Sequence, residues 1–332
     1  MLKNYIPPFT ITSKMVDYIS SIMEKIGKLD NYSNFNKMPS LRRNNRIRSI
    51  HSSLAIEANS LSINQVKDVI SGKTVIGPQK EIQEVKNAYK AYEMINNVNP
   101  YSIKDLKRIH KTMTYLIVNE SGEFRKGNEG VFDEKGNCIH MCPPPEQVEV
   151  LMNQLFDWMK KRKNDIHPLI LSSVFHYEFV FIHPFEDGNG RTARLWQNII
   201  LSGWKEIFEY LPIESELKKY QNGYYKAIAD CNKNGDSTIF IEFMLKMIDE
   251  VLNETVITGN GPITEKAINI NKLLEIMEYN VPMTANDIMN KLGIKSKETL
   301  RSTYLDPAIN EGLVALTIPD KPTSKNQMYY KI

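Results

Sequence analysis

A chain of 332 residues is too long for one small core and predicts two or three domains. Its 42% hydrophobic and 24% charged residues, with a net charge of +3, describe an ordinary globular protein and give no argument by themselves for nucleic acid or membrane binding. Three cysteines, Cys138, Cys142 and Cys231, exclude a disulfide framework, and no second ligand pair follows to complete a zinc site.

The N-terminus lacks the charged-then-apolar order of a signal peptide, and no apolar run is long enough to span a bilayer. The expectation is a cytoplasmic protein with no membrane partner. After Pro7-Pro8, the residues Met15, Ile19, Ile22, Met23 and Ile26 fall at helical spacing, and polar residues from Asn31 to Asn36 break the pattern. Ser40 is a candidate N-cap for the next helix. Its Arg42, Arg43, Arg46 and Arg48 read as a solvated face rather than a nucleic-acid site. On the same helix Ile47, Ile50, Leu54 and Glu57 form one stripe at i, i+3, i+7 and i+10. Glu57 thus continues an apolar face, where an unpaired carboxylate is costly to bury. Ser53 lies one turn earlier on the same side.

A turn from Gly72 to Pro78 leads into a helix over 79–97, and Ser102 caps another from Ile103 to about Val118. Residues 121–145 change character. Val131-Phe132 and Cys138-Ile139-His140-Met141 are β-capable arms around an Asp133–Asn137 loop containing Gly136. A lone two-stranded hairpin leaves unpaired backbone edges. His140 on its second arm is expected at the surface and not in catalysis. Helices follow over 148–162 and 169–182, the second apolar nearly all round and therefore central, with His176 as a satisfied core histidine.

That helix delivers His183-Pro184-Phe185-Glu186-Asp187-Gly188-Asn189-Gly190-Arg191-Thr192-Ala193-Arg194. Histidine can take a proton near neutral pH, and an aspartate four residues later can ligate Mg²⁺. Gly188, Asn189 and Gly190 tolerate the backbone angles of an anion cradle. The helical pattern that begins at Thr192 puts a helix N-terminus where phosphates would sit. Arg191 and Arg194 are one turn apart and are expected to reach the same anion. Phe185 has no phosphate chemistry to do and is expected in the core; Glu186 is expected in solvent.

The string matches the Fic signature His-Pro-Phe-x-Asp/Glu-Gly-Asn-Gly-Arg-x-x-Arg at every defined position, and the chain resembles Fic-family protein adenylyltransferases. The resemblance implies transfer of AMP from ATP to a Ser, Thr or Tyr hydroxyl of a target protein, with pyrophosphate released. It implies His183 as base, Asp187 as the Mg²⁺ ligand and Gly188, Asn189, Gly190, Arg191 and Arg194 as phosphate ligands. Ser53-Leu54-Ala55-Ile56-Glu57-Ala58-Asn59 resembles the family's inhibitory motif Ser/Thr-x-x-x-Glu-Gly/Asn. In that family the glutamate pairs with the second signature arginine, here Arg194, and blocks the γ-phosphate position. Ala58 departs from the usual Gly or Asn. Gly122-Glu123-Phe124-Arg125 resembles the turn before the family's flap, here about 131–142, whose edges hold the target segment by strand addition. Tyr225 and Asn232 are implied in the adenosine pocket. Other Fic-type transfers are disfavoured, since the phosphorylating branch has Lys in place of Gly190 and the phosphocholine branch lacks Gly188.

The last predicted core helix covers Phe240 to Val251. Residues 255–262 read as a linker, and the helical patterns and β-rich arms of 263–332 resemble a winged helix. Nine Lys/Arg against eight Asp/Glu in 263–332 make a poor footprint for DNA, and Pro307 is expected to limit the presumed recognition helix. Protein contact or dimerisation ranks ahead of DNA binding. The expected fold is mainly α: an N-terminal helical region over 1–100 with the inhibitory helix at about 40–58, a Fic-type helical core over 101–254 with a small hairpin flap, and a winged-helix domain. A transcriptional regulator with a silent Fic domain is the rival reading; self-modification and homo-oligomer formation stay open.

Overall fold

The computed structural model describes residues 5–31, 39–132, 138–259, 265–278, 281–310, 312–322 and 324–332. Its chain forms two compact units, residues 1–26 with 45–253 and residues 27–44 with 254–332. Residues 1–26 and 45–100 thus fall in the same unit as residues 101–253, and residues 27–44 fall with the C-terminal residues. No described helix is long and apolar enough to cross a membrane.

In chain order come α1 (Ser13–Asn31) and α2 (Pro39–Ile56), each divided between the two units, then α3 (Ile63–Ile70), α4 (Gln79–Glu93) and α5 (Ile103–Met113) of the first unit. A hairpin of β1 (Gly130–Phe132) and β2 (Cys138–Met141) follows, then α6 (Pro145–Arg162), α7 (Pro168–Ile182), α8 (Asn189–Ser202), α9 (Ile213–Lys219), α10 (Gln221–Asn234) and α11 (Thr238–Gly259). Pro168 opens α7 at a position where its missing N–H costs nothing. Almost every residue of α7 is buried, as its all-round apolar sequence requires. It packs between α6 and α8, where Phe156, Phe175 and Trp196 form a ring cluster with centroids 5.7–6.3 Å apart. Each such side chain contributes on the order of 1.5–3 kcal/mol by its burial. The hairpin is antiparallel, with Gly130 opposite Met141 and Val131 opposite His140; its connecting loop lies outside the described residues.

Four helix ends differ from the sequence expectation, each for a local reason. Pro39 starts α2, which puts Ser40 inside the first turn rather than at the cap. The other end of α2 stops at Ile56, because Ala58 turns left-handed at φ +64° and the Asn59 N–H closes back on the Leu54 carbonyl. The α5 helix stops at Met113 rather than Val118, since the Thr114 hydroxyl bonds back to the His110 carbonyl and Leu116 turns left-handed. Lastly, α11 continues through the first half of the expected linker to Gly259; the rest of 255–262 lies outside the described residues.

The second unit orders α12 (Glu265–Ile276), β3 (Met283–Thr284), α13 (Ala285–Leu292), α14 (Lys297–Thr299), a π turn (Leu300–Leu305), α15 (Asp306–Asn310), β4 (Val314–Leu316) and β5 (Met328–Lys331). The strands form an antiparallel sheet in the order β3-β5-β4. Leu273, Leu274, Ile288, Leu300, Leu305 and Val314 are its buried centre. A reciprocal capping box between Thr284 and Asp287 starts α13. Pro307 does not stop the third helix. The wider π turn just before it makes room for a ring that would clash in a regular α-helix, and α15 runs on to Asn310.

Candidate active site

His183 caps the C-terminus of α7 in the left-handed region, at φ +52°, ψ +60°, with its N–H bonded to the Phe179 carbonyl at 3.0 Å. For a non-glycine residue this backbone is strained and must be held. Arg125 holds it. Its guanidinium donates to the carbonyls of His183 at 2.7 Å, Gly127 at 2.7 Å and Pro143 at 2.5 Å, while its own N–H donates to the Pro184 carbonyl. One buried arginine thus joins the α7 terminus to the chain on both sides of the hairpin. Burial lowers the pKa of His183 to about 4, and the charge of Arg125 acts in the same direction. The imidazole is therefore neutral at physiological pH and free to accept a proton.

Beyond His183, Phe185 is fully buried and stacks on His110 with centroids 3.6 Å apart and planes 7° from parallel. Asn189 closes the loop. Its side-chain amide accepts from the Phe185 N–H at 3.0 Å and donates to the Phe185 carbonyl at 2.7 Å. Both ends of that amide thus serve the loop, and the backbone N–H is the group that Asn189 turns toward an anion. Gly188, at φ +81°, is the N-cap of α8, so the helix begins at Asn189, three residues before the expected Thr192. The first N–H groups of α8 have no intrahelical acceptors and form the cradle. Asp187 accepts at Oδ1 from the Gly188 N–H at 2.5 Å and from Arg191 at 3.0 Å. Burial pushes its pKa up, but Arg191 and the Gly188 N–H outweigh that and hold it below the usual carboxylate range. Glu186 is exposed.

The two signature arginines diverge instead of meeting one anion. Arg191 pairs with Glu84 at 3.2 Å and with Asp187. Arg194, with its side chain 1% exposed, donates to Ser53 Oγ at 3.0 Å, the Ser53 carbonyl at 2.9 Å and Glu57 Oε1 at 2.7 Å. Burial works to lower the pKa of Arg194, but Glu57 and the nearby Tyr224 and Tyr92 more than offset it. The Glu57 carboxylate lies so close to Gly190 that a Cβ there would run into Oε1. An anion from α2 therefore occupies the mouth of the anion cradle.

A cleft of about 210 Å³ opens beside this pair, lined by Glu57, His183, Gly190 and Arg194 and by the α10 residues Tyr224, Tyr225 and Asn232. Tyr225 is half-exposed, with its hydroxyl 3.5 Å from the Ile56 carbonyl, and Asn232 Oδ1 accepts from the Tyr177 hydroxyl at 2.9 Å. His140 also lines the cleft and donates from Nε2 to the Phe181 carbonyl at 2.8 Å. It is therefore a wall of the site, not the plain surface residue expected. Behind the cleft, buried His176 contacts Gln197 at 2.6 Å and the Tyr224 hydroxyl at 2.9 Å.

Sequence reasoning brought His183, Asp187, Gly188, Asn189, Gly190, Arg191, Arg194, Ser53, Glu57, Tyr225 and Asn232 forward, and the structure gathers them around one loop and its cleft. It missed Glu84 and His110. Glu84 gave only the signal of a carboxylate on an amphipathic helix. His110 offered a better one, being the single histidine on the apolar stripe Leu106, Ile109 and Met113, all of which are buried. Among the described residues no group of three His, Cys, Asp or Glu side chains could enclose a metal. Asp187, its side chain 45% exposed, suits only an ion that brings its other ligands along.

A helix-end histidine followed by an anion cradle and two buried arginines is an arrangement suited to binding phosphate. The Fic/DOC family profile matches residues 100–201, from just before α5 to the end of α8. The profile of the C-terminal domain of Fic-like proteins, named for filamentation induced by cAMP, matches residues 269–331. A Fic family protein of known crystal structure from Desulfovibrio desulfuricans G20 is 39% identical, with 99% of this chain and 98% of that one covered at a TM-score of 0.74. The chain belongs to the Fic/DOC family. Proteins named protein adenylyltransferase Fic in Nematostella vectensis and Aedes aegypti are each 29% identical, over 218 and 216 residues, or 61% and 62% of this chain. This chain spans 47% and 41% of their lengths.

Proposed function

We propose that this protein transfers AMP from ATP to a Ser, Thr or Tyr hydroxyl of a target protein and that Glu57 holds it back. The observation that carries this reading is the Arg194–Glu57 pair beside Gly190. A carboxylate, chemically a stand-in for a phosphate oxygen, sits where the cradle and its second arginine would receive the end of a nucleotide. In the proposed reaction neutral His183 takes the hydroxyl proton, the freed oxygen forms a bond to the α-phosphorus, and the bond to pyrophosphate breaks. Gly188, Asn189 and Gly190 offer backbone N–H groups, and Arg191 and Arg194 offer charge to the β- and γ-phosphates. Bound with the nucleotide, Mg²⁺ supplies charge neutralisation at the phosphates, and Asp187 is the residue that would hold it. Tyr225 and Asn232 would border the adenosine.

The β1–β2 hairpin would dock the target segment by its open edge. The order helix, strand, helices, two strands over residues 265–331 supports a winged helix, and the charge of +1 over residues 263–332 favours a protein partner, a second copy included, over DNA. Cysteine usage supports a cytoplasmic setting. The test is incorporation of label from α-labelled ATP into protein, the chain itself included. Glu57→Gly raises it by a factor on the order of 10–100, and adding His183→Ala removes about 10²–10⁴-fold of the gain. Unchanged labelling in Glu57→Gly would contradict the brake; labelling that survives His183→Ala would contradict the base.

A further inference from the structure

His110 belongs to neither the signature nor the inhibitory motif, yet it is wholly buried against the loop that carries both Asp187 and Gly188. Its Nδ1 receives the Gly122 N–H at 2.9 Å, and its Nε2 lies 2.8 Å from the Asp187 carbonyl. An amide N–H only donates, so Nδ1 is the bare nitrogen and Nε2 carries the proton it gives to the carbonyl. The ring itself is fixed by the stack on Phe185.

The consequence lies in the peptide between Asp187 and Gly188. A trans peptide is planar, with its C=O and N–H on opposite sides, and the protein has no cis bonds among its described residues. With the Asp187 carbonyl tied to His110, the Gly188 N–H is turned away from α5. It donates instead to the Asp187 carboxylate, and that carboxylate also meets Arg191. Gly188 is pressed against the same wall: a Cβ there would come within 2.8 Å of Thr114 Cγ2 and 3.5 Å of His110 Nε2.

We propose that His110 is a positioning residue, which orients the Asp187–Gly188 peptide so that the Gly188 N–H holds the Asp187 carboxylate at the phosphate end of the site, toward the metal ion that comes with the phosphates. The inference rests on the nucleotide reading above. It separates His110 from a residue that only fills the core, because its effect falls on the phosphate end of the ligand and spares the nucleoside end. Phenylalanine keeps a ring against Phe185 and removes both polar contacts. Glutamine gives up the stack but can accept from Gly122 and donate to Asp187.

The experiment is calorimetric titration of the full-length Glu57→Gly protein, and of the same protein carrying H110F or H110Q, with MgATP and with adenosine. H110F is expected to weaken MgATP on the order of tenfold, the usual effect of removing the partner of a ligating group, and to leave adenosine unchanged. H110Q is expected to stay near the parent for both ligands. Equal losses for MgATP and adenosine, unchanged MgATP binding in H110F, or an H110Q protein as selectively impaired as H110F would each overturn the proposal. Should H110F not fold, H110Q decides: retained MgATP affinity supports the inference and a selective loss of it contradicts. A Glu57→Gly parent that binds no MgATP would overturn the nucleotide reading, and this inference with it.

Discussion

Arg194 keeps a full charge inside the protein, and a buried cation needs an anion or pays heavily for its absence. Ser53 satisfies two of its N–H groups with neutral oxygens, whichever anion is present; Glu57 is the anion in this state. Removing Glu57 is expected to cost about 1–2 kcal/mol, less than for a fully buried pair, since the Glu57 side chain is 37% exposed. Phosphate should restore the loss. In thermal melts MgATP is predicted to raise Tm more in Glu57→Gly than in the unaltered protein, and equal shifts would contradict competition for Arg194. Ser53, Glu57 and the signature were legible because helical spacing and a contiguous string report them directly. The Glu84 partner of Arg191 was not, because it comes from a helix more than a hundred residues upstream and only the folded chain sets them side by side.

At the scale of elements, the brake hangs on the end of α2. Ala58 holds the left-handed turn that aims Glu57, and an L-residue with a Cβ is strained there by about 1–2 kcal/mol. Ala58→Gly relieves that strain but adds freedom to the unfolded chain, so the net gain is expected to be about 0.5–1 kcal/mol. Denaturant titration checks this, and a loss of stability would contradict the strain. Helix existence was readable from periodicity for the longer helices, but not for α3, α9 and α10, which the spacing did not bring forward. Helix ends were less so, because they are decided by caps such as Thr114 bonding back to His110 and by the π turn before Pro307, and spacing carries no trace of either.

For the molecule as a whole, burial leaves His110 and His183 with pKa values near 4 and His176 near 3. The folded state thus binds fewer protons than the unfolded one below the ordinary histidine pKa of 6.5. The stability these residues give is complete above pH 6.5 and declines as pH falls toward 4. Glu178, raised to about 7 by burial, acts the other way, its contribution being lost as pH rises through 7. Burial also lowers the pKa of His51 and His167 and raises that of Glu214, and five histidines against two carboxylates predict that Tm rises between pH 5 and 6.5 by calorimetry; a fall over that window would contradict the burial of neutral histidines. This balance was not visible in composition, since it depends on which faces the helices turn toward each other. The central claim concerns which phosphate moves, and it is tested most directly by giving the Glu57→Gly protein ATP labelled at either the α- or the γ-phosphorus. AMP transfer predicts α-label fixed in protein and γ-label released as pyrophosphate, whereas γ-label fixed in protein would contradict it.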